Sequence, residues 1–197
     1  MGSVKSKENL NKEDLDFLME HTHMDEKSIK DWYTGFRRDC PSGRLMQRQF
    51  LDMYKMFSPS GDAEIFCSHV FRTFDTDNNG YIDFIEFFLA INITSAGTPE
   101  EKLKWAFKLY DVDGNGVIDQ YEMTKVVESI YEMLGSGILK PTDTAKERAK
   151  SIFIKLDQDG DCRLTEEEFI TGLLVNDDLR NLLTPVAVRD SHMANTL

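Results

Sequence analysis

The sequence predicts an all-α protein built from four helix–loop–helix units in two pairs. Three observations carry this: an internal repeat, amphipathic periodicity on both sides of each copy, and capping signals where helices start. The repeat reads DTDNNG from Asp75, DVDGNG from Asp111 and DQDGDC from Asp157. The starts stand 36 and 46 residues apart, the period of a repeated supersecondary unit. Thirty-six residues before Asp75 stands Asp39, at the head of a fourth, degenerate copy.

The flanks carry apolar residues at helical spacing. Ile29, Trp32, Tyr33 and Phe36 precede the first copy, and Phe50, Met53, Tyr54 and Phe57 follow it. Leu103, Ala106, Phe107 and Tyr110 precede the third, and Met123, Val126, Val127, Ile130 and Tyr131 follow it. Ala149, Ile152, Phe153 and Leu156 precede the fourth. Thr98 with Pro99 and Glu101 forms a capping box with proline at the first helical position, and Thr144 with Glu147 repeats the box. The short, turn-rich segment TSAGT at 94–98 divides the pairs. The expected organisation is an N-terminal pair over 1–94, a C-terminal pair over 95–176, and a helix and tail over 177–197. GSGILKP at 135–141 reads as a break inside the second pair.

Each copy extends to a 12-residue loop with the chemistry of a calcium site. Calcium takes six to eight oxygens, which such a loop supplies from positions 1, 3, 5, 7, 9 and 12. Position 7 uses its backbone carbonyl, and a glutamate at 12 offers both oxygens. Position 6 turns sharply and suits glycine. The second loop offers Asp75, Asp77, Asn79, the Tyr81 carbonyl, Asp83 and Glu86, with Gly80 at the turn. The third offers Asp111, Asp113, Asn115, the Val117 carbonyl, Asp119 and Glu122, with Gly116 at the turn. The fourth offers Asp157, Asp159, Asp161, the Arg163 carbonyl and Glu168, with the Thr165 hydroxyl at position 9. It departs from the pattern at position 6, where Cys162 stands. A side chain in a left-handed conformation costs about 1–2 kcal/mol, roughly tenfold in affinity. Three EF-hand calcium sites are expected, with binding at the fourth loop weaker or slower than its ligand set alone suggests. Asp83 and Asp119 at position 9 also leave room for magnesium at rest.

Counted from Asp39, the first copy has Pro41 at position 3, Arg44 at position 6 and Phe50 at position 12. It lacks the ligands for calcium, and its expected role is to pack on the second loop with Met46 opposite Ile82. Ile82 and Ile118, at position 8, are expected to face the core where paired loops join in a short strand contact.

Composition agrees. The net charge is −12, equal in size to the twelve carboxylates at ligand positions of the three intact loops. Such acidity excludes a nucleic-acid partner, which needs a basic face. Three cysteines, Cys40, Cys67 and Cys162, give no paired framework, and reduced thiols suit a cytoplasmic protein. No apolar run approaches the roughly 18 residues of a membrane span. Catalysis is not expected. The aspartates are used as loop ligands, and His21, His23, His69 and His192 show neither metal spacing nor a nucleophile partner.

The start, MGSVKS, fits the N-myristoylation pattern, with Gly2 as the acceptor. One myristoyl chain gives only reversible membrane binding. Lys5 and Lys7 could each add about 1 kcal/mol at an anionic surface.

Several segments together resemble the neuronal calcium sensor family of recoverin, visinin-like, frequenin and guanylate-cyclase-activating proteins. They are the Met1-Gly2 start, WYTGF at 32–36, DCPSG at 39–43 in the dead loop, FRTFD at 71–75 and KWAFKLYD at 104–111. The similarity spans Gly2 to about Leu183, and the Cys-Pro-x-Gly first loop is its most specific feature. The resemblance implies a compact two-lobed fold of four EF-hands, an acyl chain on Gly2, and a calcium-dependent exchange of that chain for a target. Cyclases, kinases and channels are the target classes it implies, and the residues do not choose among them. Cys162 departs from the family's glycine.

A sensor also needs an apolar surface that calcium uncovers. Trp32, Phe36, Phe50, Met53, Phe57, Phe84 and Phe88 are the groove candidates, set against the simpler reading that most are core. The segment FIEFFLAI at 84–91 is apolar nearly all round, so it is either deeply buried or faces a ligand. The alternative function is a calcium buffer with the same loops and no target switch.

Overall fold

The computed structural model describes residues 10–57, 63–134 and 143–183. In chain order the elements are α1 (Lys12–Thr22), α2 (Glu26–Asp39), β1 (Leu45–Met46), α3 (Gln47–Phe57), α4 (Glu64–Phe74), β2 (Tyr81–Ile82), α5 (Phe84–Ala96), α6 (Pro99–Tyr110), β3 (Val117–Asp119), α7 (Gln120–Leu134), α8 (Ala145–Leu156), β4 (Arg163–Thr165), α9 (Glu166–Leu174) and α10 (Asp177–Leu183). Each strand separates the entering and leaving helices of one unit. The fold is the expected all-α, two-lobed arrangement of four EF-hands.

The helices begin where the sequence caps them. Thr98 and Thr144 each accept a hydrogen bond from the N–H three residues on, and Glu101 and Glu147 reach back, completing both capping boxes. The periodic segments do not announce α1. Its signal is local: the Asn11 side chain accepts from the Asp14 N–H at 2.8 Å, and Glu13 and Asp14 lie in the first turn, where the helix dipole favours acids.

Paired loops join as two antiparallel ladders. In one, β1 pairs with β2, with Leu45 opposite Ile82 and Met46 opposite Tyr81. In the other, β3 pairs with β4, with Val117 opposite Thr165, Ile118 opposite Leu164 and Asp119 opposite Arg163. Ile82, Ile118 and Leu164 are fully buried and Leu45 nearly so. Position 8 thus faces the core, as expected.

The expected first-loop frame is off by one residue. The partner of Ile82 is Leu45, and Met46 is exposed. Position 8 is therefore Leu45, which puts Gly43 at position 6 and Gln49 at position 12. Gly43 has φ 73, beside φ 86 at both Gly80 and Gly116. The Gln49 side chain accepts from the Met46 N–H at 3.1 Å, as Glu86 does from Asp83. α2 also runs further into its loop than the other entering helices, through Asp39, with a C-cap at Cys40 whose N–H donates to the Phe36 carbonyl.

The turn-rich reading of residues 94–98 also needs correction. Thr94, Ser95 and Ala96 form the last turn of α5. The Thr94 hydroxyl donates to the Ala90 carbonyl at 3.0 Å, and Ser95 to the Ile91 carbonyl at 2.7 Å. That local back-bonding lets both residues close a helix. The break itself is Gly97 and Thr98.

The core is aromatic in the N-terminal pair. Phe84, Phe87, Phe88 and Ile91 of α5 are buried, each such side chain stabilising by about 1.5–3 kcal/mol relative to exposure. The lobes meet mainly through α4, which packs on α6 and α7. Phe74 meets Trp105 edge-on at 6.0 Å, and the buried Tyr54 hydroxyl of α3 donates to the Met133 sulfur of α7 at 3.4 Å. Cys40 and Cys67 are buried and Cys162 is exposed, all three as free thiols. Burial pushes the Cys67 thiol up to about 12, so it stays protonated and inert.

Candidate metal centres

Three carboxylate clusters form on the three intact loops. Asp75, Asp77 and Glu86 bring one oxygen each within 4.8 Å of one another, as do Asp111, Asp113 and Glu122, and Asp157, Asp159 and Asp161. Each first aspartate caps the entering helix: the N–H of Asp75, Asp111 and Asp157 donates to the carbonyl four residues before it. The helix end therefore fixes where position 1 stands.

Backbone N–H groups then hold the loop around that carboxylate. Asp75 accepts from the Asn79 N–H at 2.9 Å and from the Gly80 N–H at 3.0 Å. Asp111 repeats this with Asn115 and Gly116, each at 3.0 Å. The glutamate at position 12 reaches across the loop. Glu86 accepts from Thr76 through one oxygen and from the Asp83 N–H through the other. Glu122 likewise spans Val112 and Asp119. Both oxygens of each glutamate thus turn toward the loop, as bidentate ligation requires. The donor set is all oxygen, which suits a hard cation and gives a soft metal no sulfur or imidazole.

Position 9 does something else. Asp83 and Asp119 accept from the N–H groups of Glu86 and Glu122 at 3.0 and 2.8 Å. They cap the leaving helices and lie outside the three-oxygen clusters. Calcium loops often reach the ion from this position through water, which this capping geometry fits.

The fourth loop keeps the same plan with a different cluster. Cys162 stands at φ 65, and its N–H donates to Asp157 Oδ2 at 3.1 Å, as Gly116 does to Asp111. Asp161 takes the cluster place that Glu86 and Glu122 hold elsewhere. Glu168 spans Gln158 and Thr165 at 3.1 and 3.0 Å. Electrostatics separate the glutamates. Burial pushes the Glu86 carboxyl up, and neighbouring Asp83 adds to it. Burial acts on Glu168 too, but hydrogen bonds from Thr165, a neutral neighbour, hold it below its ordinary value.

In the first loop Arg38 and Gln49 fill positions 1 and 12, and Asp39 falls outside the ligand positions. Arg44 lies over the Tyr81 ring at 4.6 Å from its centroid, so the dead loop packs its cation on its partner.

Of the groove candidates, Phe36, Phe50, Phe84 and Phe88 are buried, and Trp32 and Met53 are half-buried. Phe36 meets Phe87 at 5.3 Å, and Trp32 meets Phe88 at 6.0 Å. The cleft between Trp32, Phe36, Met53 and Phe87 holds about 10 Å³ of free space, room for no more than one water. The side chain of Phe57, and Gly2 with it, lies outside the described residues. No helix of the described residues is long and apolar enough to cross a membrane.

Sequence reasoning missed one residue near the sites. Arg72, three residues before the second loop, donates to the carbonyls of Lys108, Leu109 and Asp111 beside the third. Its motif, FRTFD, was visible, but nothing in it points to a partner 36–39 residues away.

Comparisons with known proteins agree with this geometry. Residues 100–174 match the EF-hand domain pair, and residues 67–97 match an EF-hand domain. The chain is 46% identical to neuronal calcium sensor 1 of Lymnaea stagnalis over 87% of this chain and 90% of that one. It is 41% identical to human recoverin over 93% of each chain, and 34% identical to visinin of Gallus gallus over 93% of this chain and 97% of that one. These domains and the three acidic clusters support calcium binding.

Proposed function

Because this chain belongs to the neuronal calcium sensor family, we propose that it is a myristoylated calcium sensor that regulates a membrane-associated target. The observation that carries the reading is the ligand plan of the loops: three carboxylate clusters, each organised by loop N–H groups that donate to its first aspartate. The ligands assigned are those at positions 1, 3, 5, 7 and 12 of each loop, with Asp83, Asp119 and Thr165 acting from position 9. Bound calcium would supply the positive charge that offsets repulsion among the clustered carboxylates. Magnesium shares this oxygen chemistry and is assigned to the second and third loops at rest.

The residues of the chain convert loading into a signal through the helices they cap. Asp75 and Asp83 end α4 and begin α5, so drawing the second loop together re-aims both. α5 carries Phe84, Phe87 and Phe88 against Trp32 and Phe36. Shifting it opens the closed cleft and presents an apolar groove to a target helix. The myristoyl group on Gly2 gives reversible membrane contact. A cyclase, kinase or channel at the membrane is the target class proposed.

A calcium buffer would have the same loops without the opening. Retention on a hydrophobic resin in calcium and release in chelator supports the sensor, whereas no retention in either supports the buffer. In vesicle pelleting, the acylated chain is expected to sediment with calcium and stay in solution with chelator. Equal sedimentation in both would remove the exchange of the acyl chain from the account, and Gly2→Ala is the control that should not sediment in either.

A further inference from the structure

We propose that Arg72 is a positioning residue that couples the second and third loops, so that filling one raises the affinity of the other. The inference rests on the reading that both loops bind calcium.

Arg72 stands in the last turn of α4, three residues before Asp75, the first ligand position of the second loop. Its guanidinium crosses to the other lobe. Nη1 donates to the Asp111 carbonyl at 3.0 Å, and Nη2 to the carbonyls of Lys108 and Leu109 at 2.9 and 3.0 Å. These lie at the end of α6, where helix carbonyls lack partners and a cation is favoured. Asp111 is at once one of the carbonyls gripped and the first ligand position of the third loop. Arg72 therefore ties the last turn of one entering helix to the last turn of the other. Its side chain is half-buried, and Nε is buried without a partner. A buried orphan donor costs stability, so the residue has been placed for its other two nitrogens. Phe74, two residues after Arg72, makes a second contact between α4 and α6 by meeting Trp105 edge-on.

The direction of the coupling follows. Each loop can close only when its entering helix holds one orientation. With the clamp in place, closing the third loop fixes the end of α6 and, through Arg72, the end of α4. The second loop then binds with part of its ordering already done, which is positive cooperativity. By reciprocity the second loop helps the third equally.

The test is a four-protein cycle read by calorimetry in magnesium-free buffer, with Glu168→Gln in every protein so that only the second and third loops titrate. The second-loop affinity is compared with the third loop intact and disabled by Glu122→Gln, each with Arg72 and with Arg72→Met. Methionine keeps an apolar stem and removes the donors. With Arg72, disabling the third loop is expected to weaken the second on the order of fivefold or more. With Arg72→Met the same change is expected to be under about twofold. With the third loop disabled, second-loop affinity should be the same for either residue. An equal effect of Glu122→Gln in both backgrounds overturns the proposal, because Arg72 is then only structural. No effect in either background overturns it as well. Absence of calcium heat from both loops overturns the metal-site reading together with the coupling. Circular dichroism in chelator checks folding. If the methionine variant does not fold, Arg72→Lys runs in its place. Loss of coupling is again expected, since an ammonium is a point charge without the planar fork.

Discussion

Cys162 donates its N–H to Asp157 Oδ2 at 3.1 Å while standing at φ 65, in the left-handed region. Gly80 and Gly116 make the same bond at the same loop position with no side chain to strain. The fourth loop thus reaches the shape of its siblings against a local cost of about 1–2 kcal/mol. Cys162→Gly should raise calcium affinity at that loop by roughly tenfold and leave the second loop unchanged. Calorimetry reads both, and an unchanged fourth-loop affinity would mean that the turn carries no strain.

The Ile118–Leu164 contact predicts that the third and fourth loops share stability. Both side chains are fully buried and directly opposed across the ladder. Leu164→Ala removes buried methyl groups and leaves a cavity, at a cost of about 2–5 kcal/mol. Denaturant unfolding should show a loss in that range. Calcium titration should show weakening at the third loop as well as the fourth, and weakening at the fourth alone would mean that the ladder does not transmit.

Arg148 predicts a pH dependence. It contacts Asp143 at 2.6 Å through Nε and 2.9 Å through Nη2, and it also meets the Tyr131 hydroxyl, joining α7 to α8. Burial works to raise the Asp143 carboxyl, but Arg148 outweighs it and holds the group below its usual value of 3.8. For a depressed carboxylate, the folded state binds fewer protons than the unfolded state as pH falls. The stabilisation is therefore complete above the unfolded value and lost as pH drops through the folded one. The partly exposed pair is worth about 1 kcal/mol or less. Asp143→Asn should lower stability by that amount at pH 7, and the difference from the parent should close as pH falls below the ordinary value of 3.8 and through the depressed Asp143 value. A difference constant down to pH 2 would assign the effect to packing.

The intact loops were readable from sequence because ligand chemistry fixes their phase. Asp75 and Glu86 must stand at positions 1 and 12, eleven residues apart, and Gly80 marks the turn between them. The first loop has no ligands to set its phase, so Asp39 was a natural but wrong origin. Only the Leu45–Ile82 pairing and the left-handed Gly43 reveal the true frame. Thr94 and Ser95 read as turn residues because their hydroxyls compete with backbone bonds, and here the hydroxyls close a helix instead. The Arg72 clamp joins positions 36–39 residues apart, and no local signal could have placed it. Position 9 was assigned as ligand alone, whereas Asp83 and Asp119 also start the leaving helices.

Calcium titration calorimetry on the acylated and unacylated chain, side by side, tests the central claim most directly. The account predicts three bound calcium ions in each form, and an affinity that acylation shifts, because a chain released on calcium binding must by reciprocity oppose that binding. Fewer than three ions, or identical titrations of the two forms, would contradict it.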